Sequence, residues 1–349
     1  MKRYAGKLSV LIFTGILCGI GVRSHGTLKQ FDGQAGFYYQ TDVVTGKQLG
    51  DFWKNATEDA KRGIKGLVFF RTEKEIEITN ESLERSEKGE LIETAGNMYL
   101  VVPGTLIRGS FVTDSDLRGC VLSSKAAEFL FGSEDIIGEE VRIGKNMYRI
   151  RGIVDLGKSL CMVQGGAEKQ YSCIRAEAPG IPLSVVQQML TGLLPSDCEW
   201  ISEGNFYYAV GRFFLLLPAW VLLAIGCVKC RKQVRLIPNR RVRAAMEMGV
   251  PVAAFLGVCV ILLVSLRFSD DYIPTAWSDF SFWTELFRKK SELLAALLEN
   301  PFQIADSIML GSLAAVMAVG MILFWSLLER YSRWNGCNRH DLLRKLTLP

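Results

Sequence analysis

The sequence predicts an α-helical membrane protein with four transmembrane helices and a large α+β extracytoplasmic domain inserted between helices 1 and 2. Three observations predict it. Of 349 residues, 49% are hydrophobic and mean hydropathy is +0.19, yet 22% are charged, so apolar and polar residues must be segregated along the chain. The apolar residues gather in runs close to the roughly 20 residues that a bilayer-crossing helix needs. Lys and Arg concentrate beside alternate ends of those runs, the pattern that orients membrane helices. The net charge of +5 calls for no nucleic-acid partner, because the basic residues adjoin apolar segments.

Three spans are clear in the sequence: about 206–228, with Tyr207 and Tyr208 at one end, about 248–266, and about 304–328, with Trp325 near its end. These aromatics suit the water–lipid boundary. Residues 1–23 form a shorter candidate. Leu8 to Val22 follows Lys2, Arg3 and Lys7, which is also the shape of a cleavable signal peptide, but no Ala-x-Ala-like site follows it. It is read as an uncleaved anchor that begins near Tyr4 if Lys7 snorkels. Lys and Arg before the first span, in the basic loop 229–247 and in the tail 329–349 put both termini on the cytoplasmic side of a cell membrane. Loop 267–303 has four basic residues against six acids and belongs outside with residues 24–205. Arg212 and Asp306 fall at the outer ends of spans. No charge sits at mid-depth, which speaks against an ion channel or proton-coupled transporter.

Residues 24–205 read as mixed α+β. Leu49, Phe52, Trp53, Ala56 and Ala60 predict a helix over Gln48 to Arg62. Gly66 to Asn80 predicts a strand, and Tyr99 to Val102 and Cys120 to Leu122 predict short buried strands. Ser123 can cap a helix that ends at Gly132, with Ala126, Phe129 and Leu130 on its buried face. Residues 133–138 turn. Glu140 to Ile143 and Met147 to Val154 then alternate around Gly144-Lys145-Asn146 as a β-hairpin. In the outer loop, Trp283, Leu286, Phe287, Leu294, Leu297 and Leu298 give residues 279–300 an amphipathic helical spacing, for the membrane surface or the underside of the large domain.

The passage Leu122-Ser123, Leu130-Phe131-Gly132, Ile137-Gly138 and Tyr148-x-Ile150-x-Gly152-Ile153-Val154 resembles the periplasmic core domain of MacB-like, or FtsX-like, ABC transporter permeases. The close match covers roughly 35 residues, counted from the motifs themselves. The order of one span, an outer domain and three spans extends it over the chain. The resemblance implies a permease that works as a homodimer, or as a heterodimer with a second permease, alongside a cytoplasmic ABC ATPase subunit, its outer domains moved by ATP-driven change.

Gly152-Ile-Val-Asp-Leu-Gly157-Lys158-Ser159 matches the P-loop spacing, in which backbone N–H groups and the lysine hold phosphates. A P-loop opens a helix, whereas Leu160 onward reads as strand. The Gly152–Ser159 string is therefore a false positive. No catalytic residue, metal ligand set or cofactor site is expected in the chain, and ATPase activity is expected in a separate subunit. Cys161 and Cys173 flank Gly165-Gly166 and pair across a hairpin as a disulfide or stay as free thiols. Cys227-x-x-Cys230 reads as helix-face cysteines. The basic stretch up to Gly249 is either positive-inside charge in contact with membrane lipid or a coupling helix that docks on the ATPase. By resemblance, Arg240, Arg241, Arg243, Met246 and Gly249 would form that ATPase-partner interface. The stretch is long and Pro238 interrupts it. This departure leaves an alternative open: a membrane-anchored extracytoplasmic binding or sensing module without ATPase coupling.

Overall fold

A computed structural model describes residues 2–195, 198–265, 270–272, 280–299 and 303–346. Its helices are α1 (Lys2–Lys29), α2 (Gly46–Asn55), α3 (Glu58–Gly63), α4 (Ser124–Phe131), α5 (Leu183–Met189), α6 (Gly204–Val234), α7 (Arg240–Ser265), α8 (Phe280–Glu299) and α9 (Ile304–Leu346). Its strands are β1 (Gln34–Tyr38), β2 (Val44–Thr45), β3 (Gly66–Asn80), β4 (Arg85–Gly96), β5 (Leu106–Gly109), β6 (Gly119–Ser123), β7 (Glu140–Ile143), β8 (Asn146–Val154), β9 (Leu160–Gln164), β10 (Gln170–Tyr171), β11 (Cys173–Glu177) and β12 (Trp200–Glu203). The chain divides into two compact units, one of Met1–Gln30, Phe206–Phe268 and Met309–Pro349, the other of Phe31–Asn205 and Ser269–Ile308.

The first unit is helical. Among the described residues, three helices are long and apolar enough to cross a membrane, Gly204–Val234, Arg240–Ser265 and Ile304–Ser332. These are the three clear spans read from the sequence, so the chain is a multi-pass membrane protein. The 28-residue α1 is not among those three, but it packs with them through small residues. A Cβ on Gly21 would stand 3.0 Å from Val319 Cγ1 and 3.3 Å from Leu215 Cδ1. One on Gly320 would stand 2.2 Å from the Phe214 carbonyl oxygen. At Gly320, where α9 meets α6, only glycine admits the approach; at Gly21 the contact with α6 and α9 is tight, and small residues at helix contacts are how backbones come close in lipid.

The second unit is built on one ten-stranded sheet in the order β12-β1-β11-β3-β4-β9-β6-β8-β5, with β7 against β3 and β8. Its axis is the β3–β4 hairpin. The first half of β3 lies in one core with α2, α3 and α5, where Leu67 and Phe69 meet Phe37, Ala60, Tyr171 and Val186. Ile78 in its second half lies in the other core, with Leu122, Leu130, Val141, Ile150 and Cys161. A β-bulge between Glu73 and Ile76, with Glu75 at φ 59°, bends the strand where the cores part.

The helix read from Ser123 to Gly132 is α4. Ser123 Oγ accepts from Ala126 N at 3.2 Å and from Leu160 N at 3.1 Å, and Gly132 ends the helix at φ 74°. Its buried face is Ala126, Ala127 and Leu130. Phe129 is exposed instead, because at 100° per residue it lies about 100° round the helix from the centre of the Ala126, Ala127 and Leu130 face. The hairpin is β7–β8, as read, with its turn at Gly144-Lys145.

Two elements differ from the sequence reading. The helix expected over Gln48 to Arg62 is two helices, because Thr57 Oγ1 accepts from Ala60 N at 3.2 Å and starts a new one. Residues Tyr99 to Val102 are not a strand. Met98–Leu100 is a 3-10 turn, its bonds local (Leu100 N to Asn97 O, 3.0 Å), and Asn97 Oδ1 instead accepts from Leu67 N at 3.0 Å. Of the residues bounding the outer-loop helix, Asp279 and Asn300 lie outside the described residues, as does Leu266 at the end of the second clear span.

Replacing Ser123 by alanine removes an acceptor from two buried N–H groups. The expected cost is about 1–2 kcal/mol, read as a lowered unfolding midpoint of the full-length protein in detergent. An unchanged midpoint contradicts this account of α4.

Candidate functional site

The second unit buries a charged and polar group of side chains around Arg175 in its sheet. Strand β11 is buried on both sides of Arg175, so its alternation sends this arginine into the interior rather than to solvent. Arg175 is 2% exposed and Asp306, in the first turn of α9, is 1% exposed. Arg175 Nη2 donates to Asp306 Oδ1 at 3.2 Å and also to the Tyr38 hydroxyl on β1, while Nη1 reaches the Leu100 carbonyl at 3.4 Å. Ser202 of β12 donates to the same Asp306 oxygen at 2.7 Å. Tyr38 stacks on Trp200 at 5.3 Å.

Burial alone works against the Arg175 charge. Tyr38 and Asp306 more than offset it, and the guanidinium pKa is raised. Burial also raises the Tyr38 hydroxyl well above its ordinary range, so it stays protonated. Asp306 Oδ2 and Arg175 Nε are buried without a hydrogen-bond partner among the described residues. Such a pair is poor value as a source of stability, since desolvating two charges costs several kcal/mol per ion. It joins β11 to the first turn of α9.

The five residues read as the ATPase-partner interface lie on α7. Arg240 and Arg241 are exposed on its first turn, capped by Asn239 Oδ1, which accepts from Arg241 N at 3.1 Å. Arg243 pairs with Glu247 at 3.0 Å. Met246 lines a cavity of about 550 Å³ with Arg231, Arg235 and Val250. A Cβ on Gly249 would meet nothing within 4 Å. The structure thus gathers the five on two and a half turns of one open helix.

In the P-loop-like string, Gly152 to Val154 close β8, and Leu160 opens a strand rather than a helix. Lys158 donates to Glu90, and Ser159 to Glu87. Cys161 and Cys173 do not pair. Both are free, on β9 and β11, which β3 and β4 separate in the sheet. The Gly165-Gly166 turn does not bring them face to face, because the chain after it pairs through β10 with β2 before β11 joins β1 and β3. Burial pushes the Cys173 thiol up to about 12 and raises that of Cys161. Cys227 and Cys230 are free on α6. Among the described residues, no group of three or more His, Cys, Asp or Glu side chains could hold a metal.

The sequence reading placed Asp306 at a span end and passed over Arg175. The available signal was an arginine between apolar residues (Cys173-Ile-Arg-Ala) and an aspartate opening an apolar run, two opposite charges in positions that both tend to be buried.

Asp306→Ala leaves a buried unpaired guanidinium and should cost about 3–5 kcal/mol. The double variant Arg175→Met with Asp306→Leu should recover much of that, measured by unfolding of the full-length protein. Equal or additive losses contradict a buried pair. Thiol labelling should reach Cys161 and Cys173 only on unfolding, with identical gel mobility with and without reductant. A reductant-dependent shift contradicts the free-thiol geometry.

Residues 9–169 match the family model described as the MacB-like periplasmic core domain. No curated protein matches the chain. Two solved structures are similar. The periplasmic region of MacB from Actinobacillus actinomycetemcomitans has 15% identity and a TM-score of 0.41, covering 50% of this chain and 91% of that one. The extracellular domain of the noncanonic ABC-type transporter YknZ from Gram-positive bacteria has 19% identity and a TM-score of 0.34, covering 44% and 87%. The matched stretch includes Leu122-Ser123, Leu130-Phe131-Gly132 and the β7–β8 hairpin, so residues 9–169 of this chain are similar to the MacB-like periplasmic core domain.

Proposed function

We propose that the chain is the permease, or mechanotransmission subunit, of an ABC transporter complex, in which a separate cytoplasmic ATPase drives movement of the extracytoplasmic domain. In this reading α1 is the fourth span, both termini are cytoplasmic, and two permease chains act together. The packing of Gly21 against Val319 and Leu215 supports α1 as a retained helix.

The buried Arg175–Asp306 pair carries the proposal. Asp306 opens α9, and Ser202, its other partner, stands just before α6, which follows β12 without a break. Two spanning helices therefore begin at residues locked to one another and to β11. A displacement at the start of either would be felt by the sheet, since packed interiors shift between discrete arrangements rather than deform smoothly. The Gly152–Ser159 string has no part in this. Its lysine is engaged by Glu90, which supports assigning nucleotide chemistry to the partner.

The exposed start of α7 is the proposed docking point for the ATPase. Arg240→Glu, Arg241→Glu and Arg243→Glu together should abolish co-purification of an ATPase in mild detergent while the chain still folds and inserts. Retained function without any ATPase partner would favour the membrane-anchored sensing module instead.

A further inference from the structure

Helix α8 has more apolar surface than the domain covers. One side faces inward: Phe282, Leu286, Lys290, Leu293 and Ala296 are half-buried, α8 lies against β12, and Lys290 donates to Glu203 of that strand, which also accepts from Tyr272. The opposite arc is polar, with Arg288 paired to Glu285 and Glu292 at 2.9 Å each. Between the two runs a second apolar stripe, Trp283, Phe287 and Leu294, at 46%, 78% and 39% exposure. At 100° per residue these three fall within a narrow sector of the helix, so they form one continuous strip.

The occupant of that strip is argued from the chain itself. The segment before α8 follows the spanning helix α7, and only residues 300–303 separate it from α9. That linker reaches about 18 Å at most, so α8 is held near the start of a span. A helix with an ion-paired polar arc and an aromatic-rich apolar strip, tethered beside membrane spans, has the composition of one that lies in the plane of the interface.

We propose that α8 is an interfacial helix whose Trp283–Phe287–Leu294 strip sits in the lipid boundary while Lys290 fastens its other side to β12. This rests on the membrane reading of α7 and α9. The helix then couples the edge of the sheet to the bilayer surface, in addition to the covalent links through α6 and α9.

The test is photocrosslinking of the full-length protein, purified and reconstituted in vesicles of phosphatidylethanolamine and phosphatidylglycerol. Benzoylphenylalanine is placed in turn at Phe287, at Glu285 on the polar arc, and at Phe255 on α7. Adducts are identified by mass. Lipid adducts at positions 287 and 255, several-fold above position 285, are expected. Lipid at position 255 but a second copy of the chain, or nothing, at position 287 overturns the interfacial helix. Lipid at neither position overturns the membrane reading beneath it.

Discussion

The start of α9 is joined to the sheet by one buried charge pair. Arg175 and Asp306 are almost wholly removed from water, and the Coulomb attraction between them must offset a desolvation cost of comparable size. The offset holds only with Tyr38, Leu100 and Ser202 supplying further hydrogen bonds at the same place. The cluster ties β1, β11 and β12 to the first turn of α9.

The sheet gives that junction something to act on. The β3–β4 hairpin belongs to both cores, one holding the α2, α3 and α5 helices and the other holding α4 and the β7–β8 hairpin. Strand β11 pairs directly with β3, Cys173 to Glu177 against Phe70 to Gly66. The bulge after Glu73 is the point where the shared strand changes direction. The sheet is hydrogen-bonded without a break from β12 and β11 through β3 and β4 to β8 and β5.

Much of this was legible in the sequence, and the failures have physical causes. Long apolar runs announce spans because lipid leaves the backbone no alternative to helix. The Ser123 cap, the left-handed Gly132 and the β7–β8 hairpin are local chemistry and were readable as such. Thr57 was missed because an internal cap interrupts an amphipathic pattern without disturbing its periodicity. Whether Cys161 and Cys173 pair or stay free was left open by their spacing, because proximity in sequence says nothing about the two strands that intervene in the sheet. The Arg175–Asp306 pair joins residues 131 positions apart, and periodicity carries no information at that separation. Local patterns thus gave the elements, while the junction between them needed the fold.

The central claim is that movement of the spans reaches the outer sheet through the Asp306 cluster. Hydrogen–deuterium exchange on the full-length chain in complex with the ATPase proposed as its partner, with and without ATP, tests it most directly. The account predicts nucleotide-dependent changes in β1, β11 and β12 of the unmodified chain that disappear in a folded, assembled Asp306→Asn variant. Identical exchange in those strands whether or not ATP is present would contradict it.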